Sequence, residues 1–174
     1  MSLGPGLIPA HQGDERTLLL DYLTRQRELV FWKLNGLDDV AARKPSTATG
    51  LTIHGIVRHL ENVERSWWRH HVAGQENLSF DWSDDDPDGE LKVPADVRLV
   101  ELLAAYRTEI VLCDEVIAAR DLDTVSVLRD HSVRWVLLHL IEEIGRHLGH
   151  LDLLAELADG RVGEEPGDAP PPGI

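Results

Sequence analysis

Val133–Leu154 reads VRWVLLHLIEEIGRHLGHLDLL, and its inward positions Val133, Leu137, Leu140, Ile144, His147, Leu151 and Leu154 follow one another in alternating steps of four and three. That is the spacing of a helix buried along one stripe against other helices. Six of the seven positions are apolar and the seventh is a histidine. Glu143 stands four residues before it, one turn away on the same face, so a carboxylate oxygen and an imidazole nitrogen can reach one point. An E-x-x-x-H pair is half of a metal site.

Two side chains from one helix rarely surround an ion, so the other half is sought on a second helix. Thr52 to Ala73 is such a helix, with Ile53, Ile56, Leu60, Val63 and Trp67 as its expected inward stripe. His59 lies on or beside that stripe. His59, Glu143 and His147 together make a two-histidine, one-carboxylate set with open positions, a donor set that suits a divalent ion engaged in catalysis or ligand capture. Spacing alone leaves the bland alternative open, in which His147 is a hydrogen-bonded core histidine and Glu143 pairs with Arg146 or Arg134. Nine histidines in the chain make some favourable spacing expected by chance.

The remaining histidines sort by position. His139, four before Glu143, extends the ladder by a turn, and His150, three after His147, is placed to touch the metal's outer surroundings or a substrate. His54 is about 140° around the helix from His59 and cannot easily share its ion. His70 and His71 fall near the end of their helix, at the surface or a pocket rim. Trp67 is expected in the core stripe, with Trp68 about 100° away.

Two further amphipathic segments complete the pattern. One runs from Glu15 to Leu34, with Leu18, Tyr22, Leu29 and Trp32 on its stripe and Arg25 filling one step, and stops at Asn35 and Gly36. The other covers Val97 to Arg120, where Leu99, Leu103, Tyr106, Ile110, Cys113 and Ile117 keep the heptad, so Cys113 is a core residue. The stretch Gln75 to Ala95 carries Pro87, Gly89 and Pro94 and reads as a crossover loop long enough to run the length of a bundle. The expected architecture is an all-α four-helix bundle over residues 15–160, after an N-terminal extension (1–14) and before a flexible Pro/Gly/acidic tail (161–174).

A net charge of −14 in 174 residues argues against nucleic acid as a partner, because phosphates would be repelled. Asp84, Asp85 and Asp86 lack the calcium-loop pattern and read as solvated. No stretch approaches the roughly 20 apolar residues that span a bilayer, and no basic leader precedes an apolar run, so a cytoplasmic protein is expected. The common nucleotide, serine-hydrolase and H-E-x-x-H motifs are absent.

Leu51–Gly74 (LTIHGIVRHLENVERSWWRHHVAG) and Val133–Leu154 resemble the two ligand-bearing helices of the DinB-like superfamily, through H-L-x-x-V-E-R-x-W beginning at His59 and R-H-x-G-H ending at His150. The closest resemblance is to the actinobacterial branch known as domain of unknown function 664, related to the helical domain of mycothiol-dependent maleylpyruvate isomerases and to YfiT-type hydrolases. The resemblance implies a four-helix bundle with a long crossover, a homodimer as an available assembly, and a metal ion, zinc or nickel, held by His59, Glu143 and His147. It also implies a low-molecular-weight thiol such as mycothiol as cosubstrate, hence S-transfer to a small electrophile. His150, one turn beyond His147 on the neighbouring face, is by its position the candidate catalytic residue, to place the thiol or pass a proton. The isomerases carry a further C-terminal domain, so maleylpyruvate isomerisation itself is not expected. A metal-dependent hydrolase and a bundle that binds a metal or small molecule without turnover are the alternatives.

Overall fold

In the computed structural model, which describes residues 9–163, the chain is all-α, with no strand among these residues beyond an isolated bridge between Val125 and Ser132. The helices are α1 (Glu15–Leu34), α2 (Asp39–Ala42), α3 (Ile53–Glu64, continued by a π-helical stretch Arg65–Val72), α4 (Leu99–Ala118) and α5 (Val133–Asp159), with a 3-10 turn at Gly89–Leu91. The described residues divide into two compact units, His54–His139 forming one, and those within Met1–Ile53 and Leu140–Ile174 the other. The first eight residues and most of the expected tail, from Glu164 on, lie outside the described residues.

In the unit that holds α1 and most of α5, Asp14 caps α1 by accepting a hydrogen bond from the Thr17 amide at 3.0 Å, and Gly36 at φ +71° ends it. The buried stripe of α1 is Leu23, Arg27, Val30 and Leu34. Leu29 is buried too, as expected, but the rest of the expected stripe is corrected: Tyr22 is 48% exposed, and Leu18, Arg25 and Trp32 are half-buried. Runs such as Leu18–Leu20 and Val30–Trp32 put apolar residues most of the way round the helix, so periodicity alone allows more than one register. Buried Lys33 is compensated by Asp152 at 2.5 Å and by the Gly163 carbonyl. Arg161 donates to the Lys33 and Asn35 carbonyls at 2.7 and 3.1 Å, filling acceptors that the end of α1 leaves open. On α5, Leu140, Ile144, Leu151 and Leu154 are buried as expected. A Cβ at Gly145 would lie 3.2 Å from the Gln26 amide nitrogen, so α1 and α5 approach closely there. The single turn α2, capped by Asp38, was not legible in the connector.

In the other unit, α3 changes winding. The Ala73 amide donates to the Trp68 carbonyl, five residues back, at 3.0 Å. Wider turns advance each residue by less than 100°, so the buried series after Leu60 becomes Glu64, Trp68 and Val72 in steps of four. Trp68 is therefore the core tryptophan, and Trp67 and Val63 are only half-buried, which corrects the expected stripe. Against this stretch α4 brings Glu109, 3% exposed, which accepts from Arg65 Nε at 2.9 Å and Arg69 Nη1 at 3.0 Å. Burial disfavours the charged Arg65, but the Glu109 and Glu61 carboxylates outweigh it and raise its pKa. Tyr106 donates to the fully buried Glu64 at 3.2 Å, and Cys113 is buried as its heptad requires.

Gly74, at φ +71°, closes the helix, and a Cβ there would meet Val127 at 2.8 Å. From it the crossover returns along α3: Arg65 reaches the Ser79 carbonyl, Asn62 and Arg58 hold Asp81, and His59 meets Glu90. The linker thus runs back along its own preceding helix, as its length allowed.

Candidate metal centre

The regular part of α5 places Glu143 and His147 on one face, as the four-residue spacing requires. Glu143 Oε1 lies 3.3 Å from His147 Nε2, with the two side chains 20% and 17% exposed. The opposite nitrogen, His147 Nδ1, lies 3.4 Å from Nδ1 of His150. His147 is thus held between a carboxylate and a second imidazole. Glu142 points elsewhere and pairs with Arg146 at 3.0 Å, both largely exposed. The choice between neighbouring glutamates follows from helix geometry.

His59 comes from the regular part of α3, before the π-helical stretch, and its ring is 19% exposed. Its Nδ1 lies 2.7 Å from Oε1 of Glu90 on the 3-10 turn. Glu90 was not among the residues singled out from sequence. It stands 31 residues from His59 in an acidic stretch that reads as solvated loop, and no spacing rule connects the two. Of that stretch Asp84 and Asp85 are exposed as expected, while Asp81 and Glu90 are engaged by α3.

The other histidines have different surroundings. His139 stacks on Trp135 at 5.0 Å, His131 stacks on the same ring at 4.1 Å, and Trp67 packs edge-on against His139 at 4.7 Å. His71 sits against Trp67 at 5.3 Å. Burial, then the charges of Arg129, His70 and His131, push its pKa down from 6.5 to about 4. His70 bonds the Gln75 carbonyl at 2.9 Å. His54, 1% exposed, is a core residue.

The donor types expected from sequence fit a divalent ion: imidazole and carboxylate, each half-buried here, are groups that zinc and nickel take. Both imidazoles are met at Nδ1, which is how ligating histidines are commonly oriented so that Nε2 serves the metal. No helix among the described residues is long and apolar enough to cross a membrane.

No curated protein matches the sequence. Residues 18–160 match the family model described as mycothiol-S-transferase. The match covers most of the chain and takes in His59, Glu90, Glu143, His147 and His150, and on that ground the chain belongs to the mycothiol-S-transferase family.

Proposed function

We propose that the protein is a metal-dependent S-transferase that joins a mycothiol-type thiol to a small electrophile, with His59, Glu143 and His147 as the ligands of one zinc or nickel ion. Family membership supports the S-transferase part of this reading. The metal part is carried by the preformed pair on α5, Glu143 Oε1 at 3.3 Å from His147 Nε2. It is further supported by His59, an imidazole whose Nδ1 is held by a carboxylate at 2.7 Å, as a ligand's outer nitrogen commonly is.

A divalent ion held there would supply Lewis acidity, lowering the pKa of a thiol brought beside it and keeping a nucleophile present at neutral pH. The chain's own groups do the rest. Glu143 contributes one negative charge against the two neutral imidazoles, leaving net positive charge to attract a thiolate. His150 contacts His147 at 3.4 Å and is half-buried, which suits it to accept the proton the thiol gives up. In the transfer the sulfur forms the new bond to the electrophilic carbon, and the leaving group departs with its electron pair.

Cobalt-substituted protein tests this. Adding mycothiol or a simpler thiol should produce a sulfur-to-metal charge-transfer band, and the thiol's apparent pKa should fall below its free value of about 8.5. Electrophile consumption should require both metal and thiol, and His150→Ala should slow turnover while keeping the metal. Metal-dependent hydrolysis without thiol would favour the hydrolase reading. Ion uptake with neither activity would favour a passive binder.

A further inference from the structure

We infer that Glu90 is a positioning residue: its carboxylate accepts a hydrogen bond from the Nδ1–H of His59, so that Nε2 is the nitrogen presented to the ion, and the crossover becomes part of the metal site. The inference rests on the metal reading above. Its first ground is the contact itself, 2.7 Å between side chains only 19% and 13% exposed. A carboxylate so placed accepts a hydrogen bond from the N–H of a neutral imidazole, which fixes the tautomer and the ring plane together.

The second ground is the other oxygen. Glu90 Oε2 is buried and has no hydrogen-bond partner among the described residues. A buried carboxylate with one oxygen unsatisfied is costly unless positive charge lies close by. An imidazole polarised by an ion held at its far nitrogen would bring that charge to the carboxylate through the ring.

The third ground is how firmly the turn is built. A Cβ at Gly89 would come within 2.4 Å of the Asp81 carbonyl oxygen, so only glycine lets the chain fold so tightly there. Asp81 is itself tied to α3, by Arg58 at 2.8 Å and Asn62 at 2.9 Å. The Gly89 amide bonds the Asp86 carbonyl, and the Lys92 amide bonds that of Gly89. Glu90 therefore approaches His59 from a constrained turn whose leading segment is fastened to the same helix at Asp81. His150 lies against His147 Nδ1 from within α5, but a second imidazole brings no fixed negative charge, so it does not hold its neighbour as Glu90 holds His59.

The test is zinc affinity and the His59 tautomer, measured on wild type, Glu90→Ala and Glu90→Gln. Glu90→Ala should raise the zinc dissociation constant on the order of 10–100-fold. Glu90→Gln, which keeps an acceptor oxygen without the charge, should lose less. Nitrogen-15 spectra of the metal-free protein should show His59 protonated at Nδ1 in wild type and shifted toward the Nε2–H form in Glu90→Ala. If Glu90→Ala disturbs the fold, Glu90→Gln carries the comparison. Wild-type affinity in both variants, while His147→Ala loses zinc, overturns the role of Glu90 alone. Affinity lost with the tautomer unchanged overturns it as well. Undiminished zinc binding by His147→Ala overturns the metal reading, and this inference with it.

Discussion

The two ends of α5 use one spacing for two purposes. His131, Trp135 and His139 precede or open the helix four residues apart, and each imidazole lies against a tryptophan ring, at 4.1 and 5.0 Å. Glu143 and His147 continue the same four-residue step, and there the imidazole faces a carboxylate oxygen at 3.3 Å. At the first end stacking uses the ring faces, and the histidines serve as flat, polar packing units. At the second a nitrogen and an oxygen converge. A ladder of residues one turn apart is thus not a ligand set by itself, because what lies across from each ring decides its use.

The largest expected effect separates the two ends by metal binding. His147→Ala should abolish the stabilisation that excess zinc gives the wild type, about 2.7 kcal/mol at a hundredfold excess over Kd. His139→Ala should keep it. Thermal melts with zinc and with a chelator measure both, and equal behaviour of the variants would erase the contrast.

A smaller effect sharpens the second end. Glu143→Gln should weaken zinc binding by more than about tenfold, and Glu142→Gln should leave it within about twofold, since outer contacts carry 10–100-fold only when they touch a ligand. Titration calorimetry decides between them. The reverse order would mean that the carboxylate facing His147 is not the one this helix register presents.

The smallest effect belongs to the aromatic end. His71, packed on Trp67, has its pKa lowered to about 4, so between 6.5 and 4 the unfolded chain takes up a proton that the folded chain refuses. Its contribution is complete above about pH 6.5 and is lost as the pH falls toward 4. After screening at this part-exposed position the loss is on the order of 1 kcal/mol. Chemical denaturation at pH 7 and pH 5 should show His71→Phe losing less stability than wild type over that interval.

The residues that were legible from sequence share one property: their positions depend on regular helix geometry. Six of the seven inward positions of α5 are buried, with His147 half-buried among them, and the pairing of Glu143 rather than Glu142 with it follows from four-residue spacing. The misread stripes have local causes. On α1 apolar residues lie most of the way round the helix, so their period could not choose between a register through Tyr22 and one through Leu23. On α3 the π-helical stretch exchanged Trp67 for Trp68, and it is accompanied by Arg65 and Arg69 converging on buried Glu109. That acidic residue sits seven after Leu102 and seven before Val116, both buried, which was the one trace it left in the sequence.

By itself, then, the sequence determined the all-α class, the four long helices and the carboxylate–imidazole pair on α5, because each depends on contacts within about one turn of the chain. Tertiary structure alone decided that the crossover lies back along α3 and that Glu90 meets His59 across 31 residues. It also decided which of two adjacent tryptophans enters the core. Such choices rest on contacts between segments far apart in the chain, or on a change of winding, and neither leaves a period in the sequence to be read.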